Sequence, residues 1–204
     1  MAPTLTFFLA SPSHLMQDAV EASYQDAVQG ARDIHRVNIL EPIHGTAEIV
    51  GQPDPYHQGI KHAKENEARL RRSHIVLADF TPVRGPHAEA SVAYWVGLAK
   101  GLGKPVFGFT TAPAKYLDRR VKDVFGCVTS AATGYQWDGR SALLIEPFEM
   151  TECAALEFAC LADTDEPIGA RRDTAQGLGH ALARALEWVA ARQAQPVADA
   201  PAPE

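Results

Sequence analysis

The chain has 204 residues, 46% of them hydrophobic and 22% charged, with a formal net charge of −6 at pH 7. That length supports one sizeable core and leaves two independent domains cramped. Basic residues are scattered apart from Arg69, Arg71 and Arg72, which excludes the concentrated basic face that a nucleic-acid polymer requires but not a small anionic ligand. Cys127, Cys153 and Cys160 are an odd number without CxxC spacing, so they support neither a disulfide framework nor a zinc site and read as reduced core thiols.

In chain order, the apolar run at 5–10 reads as the first strand. It is too short to span a membrane and no basic segment precedes it, so a cytoplasmic location without a membrane partner is expected. Ser11-Pro12-Ser13 ends that strand, with Ser13 as the cap of a helix reaching about residue 31. Residues 37–40 form a short second strand. Residues 41–59 are rich in Pro, Gly and His without a period and read as a long loop, a class of segment that is often functional. Residues 62–72 form a strongly charged helix, expected to face solvent or a partner subunit.

The stretch 75–109 reads IVLADFTPVRGPHAEASVAYWVGLAKGLGKPVFGF. Its pattern is a buried strand ending in Asp79, a Pro/Gly turn, a small-residue helix and a second buried strand. Open parallel sheets bind ligands at the carboxyl ends of their strands, so Asp79, Arg84 and a first helical turn at His87 to Glu89 are expected to converge on a site. Beyond it, 115–125 reads as a helix, 142–145 as a short strand, 151–161 as a helix with Thr151 at its cap, and 173–193 as a long amphipathic helix. A single domain is expected over 1–193, followed by an Ala/Pro-rich disordered tail over 194–204.

Several candidates carry both a chemical and a plain reading. Asp79 is either a ligand-facing carboxylate or the cap of the following turn. Glu89 is either an acid near the site or a favourable charge in the first turn of a helix, worth about 0.3–1 kcal/mol. Arg84 can hold a phosphate or carboxylate, or simply fix the loop. His44, His57 and His87 lack a carboxylate partner at a recognisable spacing and read as loop or surface residues. Trp95 shares a helical stripe with Ala88, Ser91, Val92, Leu98, Ala99 and Leu102, so it either fills the core or, with Phe8 and Tyr94, walls a planar ligand. No metal site or cofactor is expected.

Asp79-Phe-Thr-Pro-Val-Arg-Gly-Pro, then Glu89, Ala93-Tyr94-Trp95-Val96-Gly97 and Leu102-Gly103-Lys104-Pro105-Val106 resemble the nucleoside 2-deoxyribosyltransferase family. So do Phe7-Phe8-Leu9-Ala10-Ser11-Pro12 in the opening strand, the charged helix containing Asn66, and Pro147-Phe148-Glu149-Met150. The resemblance implies an α/β fold of the flavodoxin-like or Rossmann-like type, a three-layer sandwich about a parallel sheet. It further implies a nucleoside or nucleotide as the small-molecule partner, and a homo-oligomer.

The family's reaction cleaves the N-glycosidic bond of a deoxynucleoside and transfers the sugar to another base. It needs a carboxylate beneath the anomeric carbon as nucleophile and a donor for the departing base. The resemblance places that nucleophile at Trp95, the tyrosine that orients it at Phe8, and an asparagine reaching into a neighbouring subunit's site at Cys153. None of these three carries the family's functional group. Asp79 and Glu89 keep carboxylates at matched positions, and Phe8, Ser11, Arg84, Trp95 and Cys153 are the matched substrate-binding candidates. The expectation is a family fold that binds a nucleoside or related planar metabolite with standard transfer lost or weakened. An active transferase or N-glycosidase using Asp79 and Glu89 is the alternative.

Overall fold

A computed structural model of the chain describes residues 4–13, 18–43, 54–112, 115, 127–129, 132, 136–138, 144–146, 148, 150–160 and 168–194. Continuous apolar runs, buried on both faces, build its centre. Five parallel strands, β1 (Thr6–Ala10), β2 (Asn38–Leu40), β3 (Ile75–Asp79), β4 (Val106–Thr110) and β8 (Gly169–Ala170), lie in the order β2-β1-β3-β4-β8. This is the flavodoxin-like order, which reverses direction between β1 and β3. A separate three-stranded antiparallel sheet joins β5 (Cys127–Thr129), β6 (Gln136–Asp138) and β7 (Leu144–Ile145).

Successive strand residues point to opposite faces, and both faces of the main sheet are covered. Phe7, Leu9, Ile75, Leu77, Phe107 and Phe109 pack with Tyr24, Val28 and Ala31 of α1 (Asp18–His35) and with Leu178, Ala181, Leu182 and Ala185 of α5 (Thr174–Ala194). Phe8, Ala10, Val76, Ala78 and Val106 pack on the other side. There they meet Leu70 of α2 (Pro55–Arg72), Val92, Trp95, Val96 and Ala99 of α3 (Ala90–Gly101), and Ala159 and Cys160 of α4 (Ala154–Cys160). Burial of each Phe or Leu stabilises the fold by roughly 1.5–3 kcal/mol. The result is the expected three-layer α/β architecture.

Several elements differ from the sequence reading for identifiable reasons. α2 begins at Pro55, so the second half of the expected 41–59 loop carries the first turn of a helix. Asp54 caps it by accepting from the His57 backbone N–H at 3.0 Å, and Pro55 occupies the first helical position. The same helix is not wholly exposed. It buries Asn66 and Leu70, and Asn66 Oδ1 accepts from Ile43 N at 2.8 Å. Arg69, Arg71 and Arg72 form its last turn, where positive charge complements the helix dipole.

α3 starts at Ala90, with Glu89 at the N-cap position, so His87 to Glu89 precede the helix rather than form its first turn. Its buried stripe is Val92, Trp95, Val96 and Ala99, while Leu102 ends the helix in a partly exposed position. Thr151 does not cap α4. Its hydroxyl donates to the Ile168 carbonyl at 2.7 Å, and Glu146 accepts from Ala154 N at 3.0 Å. α5 extends through Ala194, the first residue of the expected tail; residues 195–204, and the helix expected at 115–125 apart from Lys115, lie outside the described residues. No helix among the described residues is long and apolar enough to cross a membrane.

Candidate functional site

Strand parity divides the matched residues between the two faces of the sheet. Ser11 and Asp79 continue the parity of Phe7, Leu9, Ile75 and Leu77, so they emerge at the carboxyl ends of β1 and β3 on the α1 side. Asp79 is fully buried, and its Oδ1 accepts from Thr81 N at 2.9 Å, which fixes the turn after β3. Thr81 in turn accepts through Oγ1 from Thr111 N at 3.0 Å, tying the ends of β3 and β4 together. The turn-capping reading of Asp79 therefore accounts for one carboxylate oxygen. Its Oδ2 has no hydrogen-bond partner among the described residues.

Tyr24 of α1 is buried beside Asp79 and Ser11, with the charge of Asp79 felt at its hydroxyl. The Tyr24 hydroxyl makes no hydrogen bond of ordinary length among the described residues, but it stands close enough to Ser11 and Asp79 to act on both as a long hydrogen-bonding neighbour. Ser11 and Ser13 are buried with their Oγ atoms 3.0 Å apart. Burial pushes the Asp79 carboxyl up to about 6, against the smaller opposing effects of Thr81 and Tyr24. Burial, then the Asp79 charge, pushes the Tyr24 hydroxyl well above its ordinary range. A carboxyl that titrates near neutrality beside a phenol is a group able to exchange a proton, and here both are buried under the carboxyl ends of β1 and β3.

On the opposite face, Phe8 and Trp95 meet edge to face with ring centroids 6.0 Å apart and planes at 73°. Phe8 is fully buried and Trp95 is 7% exposed. Trp95 also meets Tyr94 at 4.8 Å and 71°, with Tyr94 itself 55% exposed. The core-filling reading of Trp95 thus describes its Phe8 side. Its other side belongs to an aromatic corner at the surface.

Between strand and helix, Gly85 has φ of 85°, a conformation that favours glycine. The turn folds Arg84 back onto Glu89, where Nη2 donates to Oε1 at 2.5 Å and Nε to Oε2 at 3.3 Å. This bidentate pair holds the Arg84 guanidinium above its ordinary range. Glu89 is thus engaged by the guanidinium of the same turn. No hydrogen bond or ion pair among the described residues links Glu89 to Asp79.

Two glutamates of the 151–161 segment that the sequence did not single out close this end of α3. Glu152, buried, accepts from Ala88 N at 3.3 Å and from Cys153 N at 3.0 Å. Glu157, also buried, accepts from Glu152 N at 3.2 Å and Ile168 N at 2.8 Å. Cys153 is half-buried there, and burial raises its thiol. Tyr24 and Glu152 were missed because each lies far in sequence from the residues it meets. The only local signal for Tyr24 was its i, i+4, i+7 stripe with Val28 and Ala31. Among the other candidates, His57 is engaged with the Asp54 cap at 2.6 Å, and His44 lies outside the described residues. No group of His, Cys, Asp and Glu among the described residues is arranged to hold a metal ion.

The profile of the family described as nucleoside 2-deoxyribosyltransferase matches residues 7–150. No curated protein matches the chain. Among solved structures, a 2-desoxiribosyltransferase from Leishmania mexicana superposes with a TM-score of 0.59 at 17% identity, over 86% of this chain and 95% of that one. A 2-deoxyribosyltransferase from Bacillus psychrosaccharolyticus aligns with a TM-score of 0.40 at 18% identity, over 53% of this chain and 74% of that one. The first of these likenesses carries the fold, and the family match covers more than half of the sequence. The chain belongs to the nucleoside 2-deoxyribosyltransferase family.

Proposed function

We propose that this chain binds a nucleoside or nucleotide at the carboxyl ends of β1 and β3 and does not carry out standard deoxyribosyl transfer. One observation carries the reading. Phe8 and Trp95 are packed against each other, 6.0 Å between centroids, where the family's mechanism needs a hydroxyl oriented against a nucleophilic carboxylate. An indole cannot attack an anomeric carbon, nor stabilise its positive charge as a carboxylate does. Glu89, six residues earlier, is held by Arg84 and does not replace it.

Asp79, with Oδ2 unpartnered and its carboxyl near 6, is the group assigned to contact the base, with Ser11 beside it. Incubation with a panel of 2-deoxynucleosides and acceptor bases, followed chromatographically, is expected to show no base exchange, while calorimetry shows saturable binding of at least one nucleoside or its 5′-phosphate. Exchange at ~1 per second or faster overturns the reading.

The position of Asp79 in the titration range favours a second reading, hydrolysis without transfer. Asp79 would give its proton to the departing base as the glycosidic bond breaks, and water would add to the sugar carbon and lose a proton to solvent. Free 2-deoxyribose released without any exchange, and abolished by Asp79→Asn, distinguishes it.

A further inference from the structure

We infer that the groove between α1 and α5 is the docking site for α2 of a second copy of this chain, in a head-to-tail contact. The groove encloses about 430 Å³, between Asp26, Ala27, Gly30 and Ile34 of α1 and Ala175 and Gly179 of α5. Small residues create it. A Cβ added at Gly30 or Gly179 would meet nothing within 4 Å, so neither helix fills the space between them at that level. One turn from Gly30 in either direction along α1 stand Ile34, 76% exposed, and Asp26, exposed and without an ion pair among the described residues.

The complement to this row lies on α2. Tyr56, Ile60 and Lys64 are exposed and four residues apart, as Asp26, Gly30 and Ile34 are on α1. Such i, i+4 rows are the ridges that interdigitate in the commonest class of helix packing, with successive members about 6 Å apart along the axis. When the two helices run antiparallel, Ile60 enters the slot over Gly30, Tyr56 covers Ile34, and Lys64 reaches Asp26. Ile34 and Tyr56, 76% and 72% exposed, are the two most exposed large hydrophobic side chains among the described residues, and this contact covers both. Lys64 makes no ion pair among the described residues, whereas its neighbours Lys61 and Arg71 are paired with Glu65 and Glu67 at 2.7 and 2.8 Å. Charge therefore matches at the third position of the row.

Other pairings of these rows fail on the same residues. Parallel helices would set Lys64 on Ile34 and Tyr56 on Asp26. A two-fold pairing of α1 with itself about Gly30 would set Asp26 on Ile34 and leave the slot without a knob. Because the groove and the ridge are different surfaces, the contact is heterologous, and the assembly continues as a ring or a chain.

Sedimentation velocity of the full chain over micromolar to millimolar concentration tests the contact. Association is expected with a dissociation constant on the order of 10–100 μM. Gly30→Leu fills the slot, Ile60→Asp removes the knob, and each alone weakens association by ~10-fold or more. Mixed in equal amounts, these two variants are expected to associate as the parent does but to stop at a heterodimer, since one keeps only the ridge and the other only the groove. Asp26→Lys and Lys64→Glu, both at exposed positions, weaken association by roughly 2–5-fold each and restore it when combined in one chain.

The contact is overturned if the parent is a monomer at millimolar concentration, or if it assembles and Gly30→Leu and Ile60→Asp leave the assembly unchanged. It is equally overturned if the mixture of those two folded variants stays monomeric, or if the combined charge variant is weaker than either single one. None of these readouts depends on nucleoside binding at Asp79, so either proposal can fail without the other.

Discussion

Phe8 and Trp95 act as one unit. Each ring fills the space that the other leaves in the core, with Phe8 fully buried and the far side of Trp95 against the surface ring of Tyr94. Trp95→Glu alone opens a void beside Phe8 and buries a carboxylate without a donor, at a cost on the order of 3 kcal/mol or more. Phe8→Tyr alone buries a hydroxyl against indole. Made together, the hydroxyl can donate to the carboxylate, so the double variant is expected to be more stable than the sum of the single changes by roughly 0.5–3 kcal/mol. A double-mutant cycle by urea unfolding measures this, and additivity would sink it. Restoration of base exchange is likewise expected only in the double variant. The identities of residues 8 and 95, on which the proposed loss of transfer rests, are read directly from the sequence. That the two rings touch is not legible there, since 87 residues separate them in the chain.

Elements were legible where local chemistry decides them. β3 stood at its observed bounds because an uninterrupted apolar run between a charged helix and a Pro/Gly turn has few alternatives, whereas Asp54-Pro55 marked a helix start that the loop-like composition around it obscured. Helix-to-sheet fit was invisible in advance, and α5 illustrates it. A Cβ on Gly177 would lie 2.3 Å from Cδ2 of the buried Phe109 ring, while one on Gly179 would meet nothing within 4 Å. Gly177→Ala is therefore expected to lose about 1–2 kcal/mol through overpacking, after the helix-propensity gain of alanine. Gly179→Ala, with that gain unopposed, is expected to be stabilising by about 0.5–1 kcal/mol. Urea denaturation of the two variants checks both signs, and the same sign for both would contradict this account of the α5 packing.

At the scale of the whole molecule, one buried group shapes the dependence of stability on pH. The Asp79 carboxyl sits near 6 in the folded chain, above its ordinary value of 3.8, because burial disfavours the charge. The folded state therefore holds that proton more tightly, so this contribution is fully present below about 4 and is lost as the pH rises to about 6. The loss is roughly 3 kcal/mol. Asn at residue 79 keeps an acceptor for Thr81 N and carries no charge. The stability of Asp79→Asn relative to the parent is thus expected to rise by that order between pH 4 and pH 7, and an unchanged difference would refute the assignment. The five-stranded order and its switch point were foreseeable as a class; of the separate sheet, β7 falls within the strand expected at 142–145, but β5 and β6 were not foreseen, because strands of three residues carry too short a period to recognise.

The main sheet is also a partition. Asp79, Ser11 and Tyr24 lie on its α1 side, and Phe8 and Trp95 on its α3 side. Side chains on opposite faces of a strand share a backbone but not a packing environment. Sequence drift at residues 8 and 95 can accordingly proceed without repacking residues 11, 24 and 79. A sheet divided in this way lets substitutions on one wall leave the side-chain arrangement of the other intact.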